Sequence, residues 1–326
     1  MTAPQRAPGA APTVGTGAAR ILDRGYRRYA GERGGVDVSM RSVVKYTSQR
    51  VLGIHRKFRF KVMPILTIVI SYVPHMVYVG IVVLTNRLDE QQQISGGGPV
   101  PAGAGRLVAN QLIKDYPSSY TNIVAAIALF AAFIAPEVLC TDRRSGMLGL
   151  YMASPLNRWT YLASKGISVG MILLTVTLGP SVLLLIGYST QGYGPSSLAD
   201  WASTIGRVLA TGVGLALFHT MVSCAISSIT TRRAAASAAF VVLIMGTGVL
   251  VPFLVIEAKA PVWLGVFDLL RLPTEFGYRV FGQISYVGYE GREVTPTWIV
   301  YAGFVGWIVV SALVVFDRYR RVEVTK

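Results

Sequence analysis

The chain has 326 residues, 52% of them hydrophobic and only 14% charged, with a mean hydropathy of +0.50. Soluble domains carry about 25% charged residues, so a soluble fold is excluded. The 31 Lys and Arg against 16 Asp and Glu give +15, and in a chain this apolar the excess reports orientation and attraction to anionic lipid rather than a nucleic-acid partner.

Residues 1–40, rich in Ala, Pro, Gly and Arg, read as a disordered basic cytoplasmic tail. Residues 41–61 follow as an amphipathic interfacial helix. Val43, Thr47, Val51, Ile54 and Phe58 share one arc, while Lys45, Arg50, Arg56, Lys57 and Arg59 lie elsewhere around it. Leu52 falls on the polar side and points to an imperfect stripe or a protein contact.

A span needs about 20 mostly apolar residues in helical form. Six stretches qualify within 62–316: 62–84, 123–140, 166–188, 205–229, 235–256 and 297–316. Thirteen Lys and Arg precede the first span, four lie between Thr141 and Lys165, two are Arg232 and Arg233, and four follow Phe316. The other side holds three between Thr85 and Asn122, none between Ser189 and Thr204, and four between Glu257 and Pro296. This asymmetry predicts that both termini, including the tail 317–326, are cytoplasmic. Trp201 and Trp298 at outer ends, and Trp159 with Tyr161 at an inner end, fall where an aromatic belt would lie.

Within the spans, His75 after Pro74, and His219 with Thr220 and Ser223, are polar groups that either line a translocation pathway or hydrogen-bond a neighbouring helix. Pro180 and Pro252 are kink candidates, and Gly212, Gly214, Gly246 and Gly248 permit close helix approach. Glu137, near the inner end of the second span, is expected to pair with Arg143, Arg144 or a basic residue of the interfacial helix. Between the fifth and sixth spans, Val262–Leu270 and Phe276–Phe281 are apolar, yet Pro261, Pro273 and interspersed charges forbid a crossing. They predict two short re-entrant helices on the outer side. Outside the spans, the first outer loop is polar and Gly-rich, with one short helix expected around Arg106 to Lys114.

The inner loop between the second and third spans carries the strongest pattern. Asp142 and Arg143 are followed by Gly146, the apolar run Met147 to Met152, then Ser154, Pro155, Arg158, Tyr161 and Lys165. Ser154 is placed to cap, and Pro155 to start, a short helix. A short, apolar, capped cytoplasmic helix suits docking into another protein.

This layout, and the inner loop above all, resembles the permease subunits of type-two ABC exporters, the ABC-2 type transporter permease family, from about Ser42 onward. Asp142 with Arg143, Gly146, Ser154 with Pro155, Tyr161 and Lys165 stand at that family's motif positions. One departure is that Leu148, Gly149 and Leu150 stand where the family often has a Glu. The resemblance implies that the loop, with Leu150 and Arg158, is a coupling helix seated in an ABC ATP-binding subunit. It further implies a second permease copy or a homologous permease and export across the plasma membrane, while the apolar spans suggest an amphipathic or apolar cargo, drug-like or lipid-like.

The chain has no phosphate-loop motif, so it is expected to bind no cofactor itself, with ATP and magnesium held by the partner subunit. Cys140 and Cys224 form no CxxC or Cys/His cluster, and no metal site or disulfide scaffold is expected. The residues alone leave open an ATP-independent channel or secondary transporter, which would need intramembrane acids or inverted repeats, and an intramembrane enzyme. The expected fold is an all-α polytopic membrane protein with six transmembrane helices.

Overall fold

The structure, a computed structural model, describes residues 34–54, 56–95, 120–133, 135–152, 154–284 and 294–320. The tail over 1–33, the run Gly96 to Pro99, the expected short helix from Arg106 to Lys114 and residues 321–326 lie outside the described residues.

Every regular element among the described residues is helical. They are α1 (Val36–Val51), a 3-10 turn (Phe58–Phe60), α2 (Val62–Ser95), α3 (Tyr120–Phe133), α4 (Ala135–Arg144), α5 (Met147–Met152) and α6 (Arg158–Thr190). Then come α7 (Leu198–Ile229), α8 (Arg233–Ile256), a second 3-10 turn (Val262–Phe267), α9 (Leu272–Val280) and α10 (Thr297–Arg320). Among the described residues six stretches are long and apolar enough to cross a membrane: Val62–Leu88, Ile123–Arg144, Arg158–Thr190, Leu198–Ile229, Arg233–Ile256 and Thr297–Arg320. The chain is an all-α, six-span polytopic membrane protein.

The helices outrun the apolar stretches because their ends are fixed by caps, which hydropathy does not report. The Asn157 side-chain oxygen accepts from the Trp159 and Thr160 amides at 3.0 and 2.8 Å, and Thr160 Oγ1 accepts from the Asn157 amide at 2.9 Å. This reciprocal box starts α6 two turns before its apolar stretch. Ser197 Oγ accepts from the Asp200 amide at 3.1 Å and starts α7 in the same way.

The core is built around α7 and the second crossing. Of the apolar windows, 61% in α7 and 69% in Ile123–Arg144 is buried, against 22% in α2 and in α10, which are therefore outer helices. α7 packs on α3, α4, α6, α8, α9 and α10. Close approach depends on missing side chains: a Cβ at Gly212 would lie 2.2 Å from Leu178 Cδ2, and one at Gly214 would lie 2.6 Å from Phe276 Cε1. Gly246, by contrast, meets nothing within 4 Å.

Pro180 lacks the N–H that would bond the Val176 carbonyl inside α6. Ser71 Oγ of α2 donates to that carbonyl at 2.8 Å and satisfies it across the helix interface. The two short helical pieces expected before the last span are present as the second 3-10 turn and α9, packed against α8, α7 and α10. Phe276 of α9 stacks on Phe304 of α10 at 3.9 Å. Asp268 between them is fully buried, and its Oδ1 accepts from the Leu270 and Arg271 amides.

α1 differs from its expected extent. It starts at Val36 and ends at Val51, because Gly53 adopts φ 69° and turns the chain. A Cβ at Gly53 would lie 2.8 Å from the Phe60 carbonyl oxygen. Ile54 and Phe58 thus lie beyond the helix. Val43, Thr47 and Val51 are buried, and α1 packs along α6. Leu52 packs on the core between α1, the second crossing and α6, which removes it from the helical wheel on which it looked misplaced.

Candidate functional site

Four elements meet where α4 ends and α6 begins. The Asp142 side chain, 1% exposed, lies 2.7 Å from Lys165 Nζ, itself 2% exposed. Tyr161 OH donates to Asp142 Oδ2 at 3.0 Å, and Arg50 Nη1 of α1 donates to Oδ1 at 3.1 Å. Lys165 Nζ also donates to Thr47 Oγ1 of α1 at 3.0 Å. It sits 5.1 and 5.6 Å from the ring centroids of Tyr151 and Tyr161. A carboxylate removed from water is tolerable only when paired and hydrogen-bonded, and both oxygens of Asp142 are occupied. Burial, with the Asp142 charge beside it, pushes the Tyr151 phenol above its ordinary range.

The three motif residues Asp142, Tyr161 and Lys165 are thus brought into one cluster. Arg143, next to Asp142 in sequence, instead donates to the Ser228 carbonyl at the end of α7. Arg158 donates to the Arg320 carbonyl at 3.3 Å, and Trp159 stacks on Phe316 at 4.4 Å, so the start of α6 is tied to the end of α10.

Gly146 has φ 67° and separates α4 from α5, a conformation other residues reach only at a cost. α5 is short and exposed: Leu150 is 65% exposed and Met147 37%. Ser154 and Pro155 do not start a helix. Ser154 Oγ donates to the Tyr151 carbonyl, both residues lie in a turn, and the cap of the following helix is Asn157. Asn157 prevails because Thr160, three residues on, completes its box.

Glu137 pairs with Arg56 at 2.6 Å and Arg233 at 3.1 Å. Arg56 comes from the basic segment before the first span, as one of the expected alternatives had it, whereas Arg143 and Arg144 do not reach Glu137. Arg50, Thr47 and Tyr151 were missing from the motif. The signal for Thr47 was available in the arc of α1, where it sits among apolar residues, whereas Arg50 lies off that arc.

The intramembrane polar residues are spread over separate surroundings. His75 Nδ1 is 2.7 Å from the Ser71 carbonyl within α2, and His219 Nδ1 is 2.9 Å from the Leu215 carbonyl within α7. The Nε2 atom of each is buried without a partner. Ser223 Oγ donates to the Ala131 carbonyl of α3 at 3.1 Å. Thr220 lines an apolar groove of about 540 Å³ between α6, α7 and α10, whose floor includes Gly166, Gly170 and Ala216.

Gly166 to Gly170 has G-x-S-x-G spacing. It lies mid-helix rather than on a strand-to-helix turn, and Ser168 Oγ donates to the Ser164 carbonyl at 2.7 Å. The setting that makes such a serine a nucleophile is missing. Cys140 and Cys224 are free and buried. Among the described residues no group of three His, Cys, Asp or Glu could hold a metal ion.

No curated protein matches the chain at a significant level. The family model described as ABC-2 family transporter protein matches residues 38–324, which takes in α1, the Asp142 cluster and all six spans, and the chain belongs to that family of multi-pass membrane permeases.

Proposed function

We propose that the chain is the transmembrane half of an ATP-driven exporter in the plasma membrane, with both termini cytoplasmic and ATP hydrolysed by a separate ABC subunit. In this reading α5 seats in that subunit, and nucleotide-driven movement of α5 passes to the spans. The observation that carries it is the Asp142 cluster. One buried carboxylate joins α4, α6 and α1 immediately beside the exposed apolar α5, so a displacement of α5 is resisted by three helices at once rather than absorbed in a loop.

A second permease, identical or homologous, completes the pathway, and the cargo is a drug-like, lipid-like or other amphipathic solute. His75, His219, Thr220 and Ser223 are the pathway candidates. α1 rests at the inner membrane surface, and the 3-10 turn and α9 dip into the outer leaflet under the protein cover that α7, α8 and α10 provide.

Purification of the tagged full chain from its native membrane in mild detergent tests this. A phosphate-loop ATPase is expected to co-purify at about one to one and to hydrolyse ATP. A chain recovered intact and alone would overturn the coupling role and favour an ATP-independent channel or secondary transporter.

A further inference from the structure

We infer that the cleft between α1, α5 and the start of α6 is a binding site for a phosphate-type oxyanion. The cleft encloses about 250 Å³, and beside Val43 its lining is Ser42, Tyr46, Thr47 and Arg50 of α1, Tyr151 of α5 and Lys165 of α6.

The charge balance of the cleft is incomplete. Arg50 and Lys165 both face it, and the single carboxylate Asp142 serves both, through Oδ1 and Oδ2 respectively. One positive charge is left over, with Lys165 2% and Arg50 30% exposed. Glu137 does not supply the missing charge, since Arg56 and Arg233 hold both of its oxygens. The donors are incomplete in the same sense: Arg50 Nε is buried and has no hydrogen-bond partner. Excess cation on residues that line a cleft, one of them with an unsatisfied guanidinium N–H, is what an anion would offset.

The geometry selects among anions. Residues carrying donor groups line it from three helices: Arg50 and Ser42 from α1, Tyr151 from α5 and Lys165 from α6. Groups arriving from three directions suit tetrahedral phosphate oxygens better than a planar carboxylate, and Arg is well matched to phosphate. The anion has two sources of shared chemistry, the headgroup of an anionic phospholipid or free phosphate. That the cleft faces the anionic inner leaflet rests on the orientation proposed above; the binding itself does not. An occupant bridging α1, α5 and α6 would stiffen the contact between α5 and the spans.

The test uses the full chain in nanodiscs, without any ATPase, and reads the unfolding midpoint. Inorganic phosphate is titrated at constant ionic strength in phosphatidylcholine discs, and phosphatidic acid or phosphatidylglycerol is doped into both leaflets in a second arm. A saturable rise is expected, with apparent affinity weakened about tenfold in Arg50→Gln, the loss of one charged hydrogen-bonding group. Tyr151→Phe, which keeps the ring over Lys165 and leaves the Asp142 pairs intact, is expected to weaken binding several-fold and guards against a folding effect of Arg50→Gln. Arg56→Gln is expected to leave the affinity unchanged. A rise with inorganic phosphate identifies a free anion, and a rise only with doped lipid identifies a headgroup. No saturable rise in either arm, or equal losses for Arg56→Gln and Arg50→Gln, overturns the site, and either result is independent of whether an ATPase partner exists.

Discussion

Lys165 Nζ lies 2.7 Å from Asp142 Oδ2, with both side chains all but excluded from solvent. Without Asp142 the Lys165 ammonium would keep only the Thr47 hydroxyl, whereas Asp142 without Lys165 would keep Arg50 and Tyr161, and an unpaired buried charge carries a desolvation penalty of several kcal/mol. Asp142→Asn, which leaves Lys165 without its counter-charge, is expected to destabilise by about 3–5 kcal/mol, and Lys165→Met by less, since Arg50 and Tyr161 still hold Asp142. The double variant should recover a large part of that loss. Denaturation midpoints in a double-mutant cycle check this, and strictly additive losses would show that the pair is not coupled.

Gly146 sits at φ 67° with nothing within 4 Å of where a Cβ would be. Gly146→Ala therefore meets no clash and carries only the left-handed backbone penalty of about 1–2 kcal/mol. The expected outcome is normal membrane insertion with transport uncoupled from ATP hydrolysis. Transport at the parental level, with normal abundance, would remove α5 from the coupling path.

Asn157 and Pro155 separate folding from docking. Asn157→Ala loses the cap of α6 and should cost about 1 kcal/mol, with Asn157→Ser recovering most of it. Pro155 is exposed in the turn before the cap, so Pro155→Ala should shift stability by less than about 0.5 kcal/mol. A transport defect in Pro155→Ala at unchanged stability would report on the partner surface, and an equal loss of stability in both variants would refute the separation.

Ser71→Ala removes the donor that satisfies the Val176 carbonyl, left free by Pro180. The expected cost is about 1–3 kcal/mol, the penalty of an unsatisfied buried acceptor. In a Pro180→Ala background the restored backbone N–H reaches that carbonyl, and the same substitution should cost distinctly less. Thermal unfolding of the four variants measures the difference.

Asp268 lies outside the spans, and burial raises its carboxyl above the ordinary range, although the Leu270 and Arg271 amides and the Arg271 guanidinium pull the other way. The folded protein then holds this proton more tightly than the unfolded chain does. The stability it contributes is present below the unfolded pKa of about 3.9 and is lost as pH rises through the folded value. Asp268→Asn fixes the neutral form, so its unfolding midpoint relative to the parent should rise between pH 4 and pH 7. A constant difference across that range would contradict the assignment.

Much of the candidate site was legible because its residues are close in sequence. Asp142, Tyr161 and Lys165 stand within one inner loop and the helix that follows it, so their resemblance to one family motif marked them before any contact was known. Arg50 and Thr47 contribute from α1, 92 and 118 residues away from the partners they bond, and spacing carries no information at that distance. Ser154 and Asn157 are equally good caps by composition. The choice between them turned on Thr160, which closes the box on Asn157.

The sequence by itself determined the six crossings and the all-helical class. The bilayer imposes a length of apolar chain and an internally satisfied backbone, and both are local properties of about 20 consecutive residues. Only the tertiary structure decided which cation meets which carboxylate. Glu137 turned to Arg56 and Arg233, and Asp142 to Lys165 and Arg50, while Arg143 was drawn to a carbonyl at the end of α7. It likewise turned the arc Val43, Thr47 and Val51 of α1 onto α6. Charges and apolar arcs specify what a helix can bury, but the neighbour that buries it is set by packing between segments far apart in the chain, where close approach at positions such as Gly212 fixes the geometry.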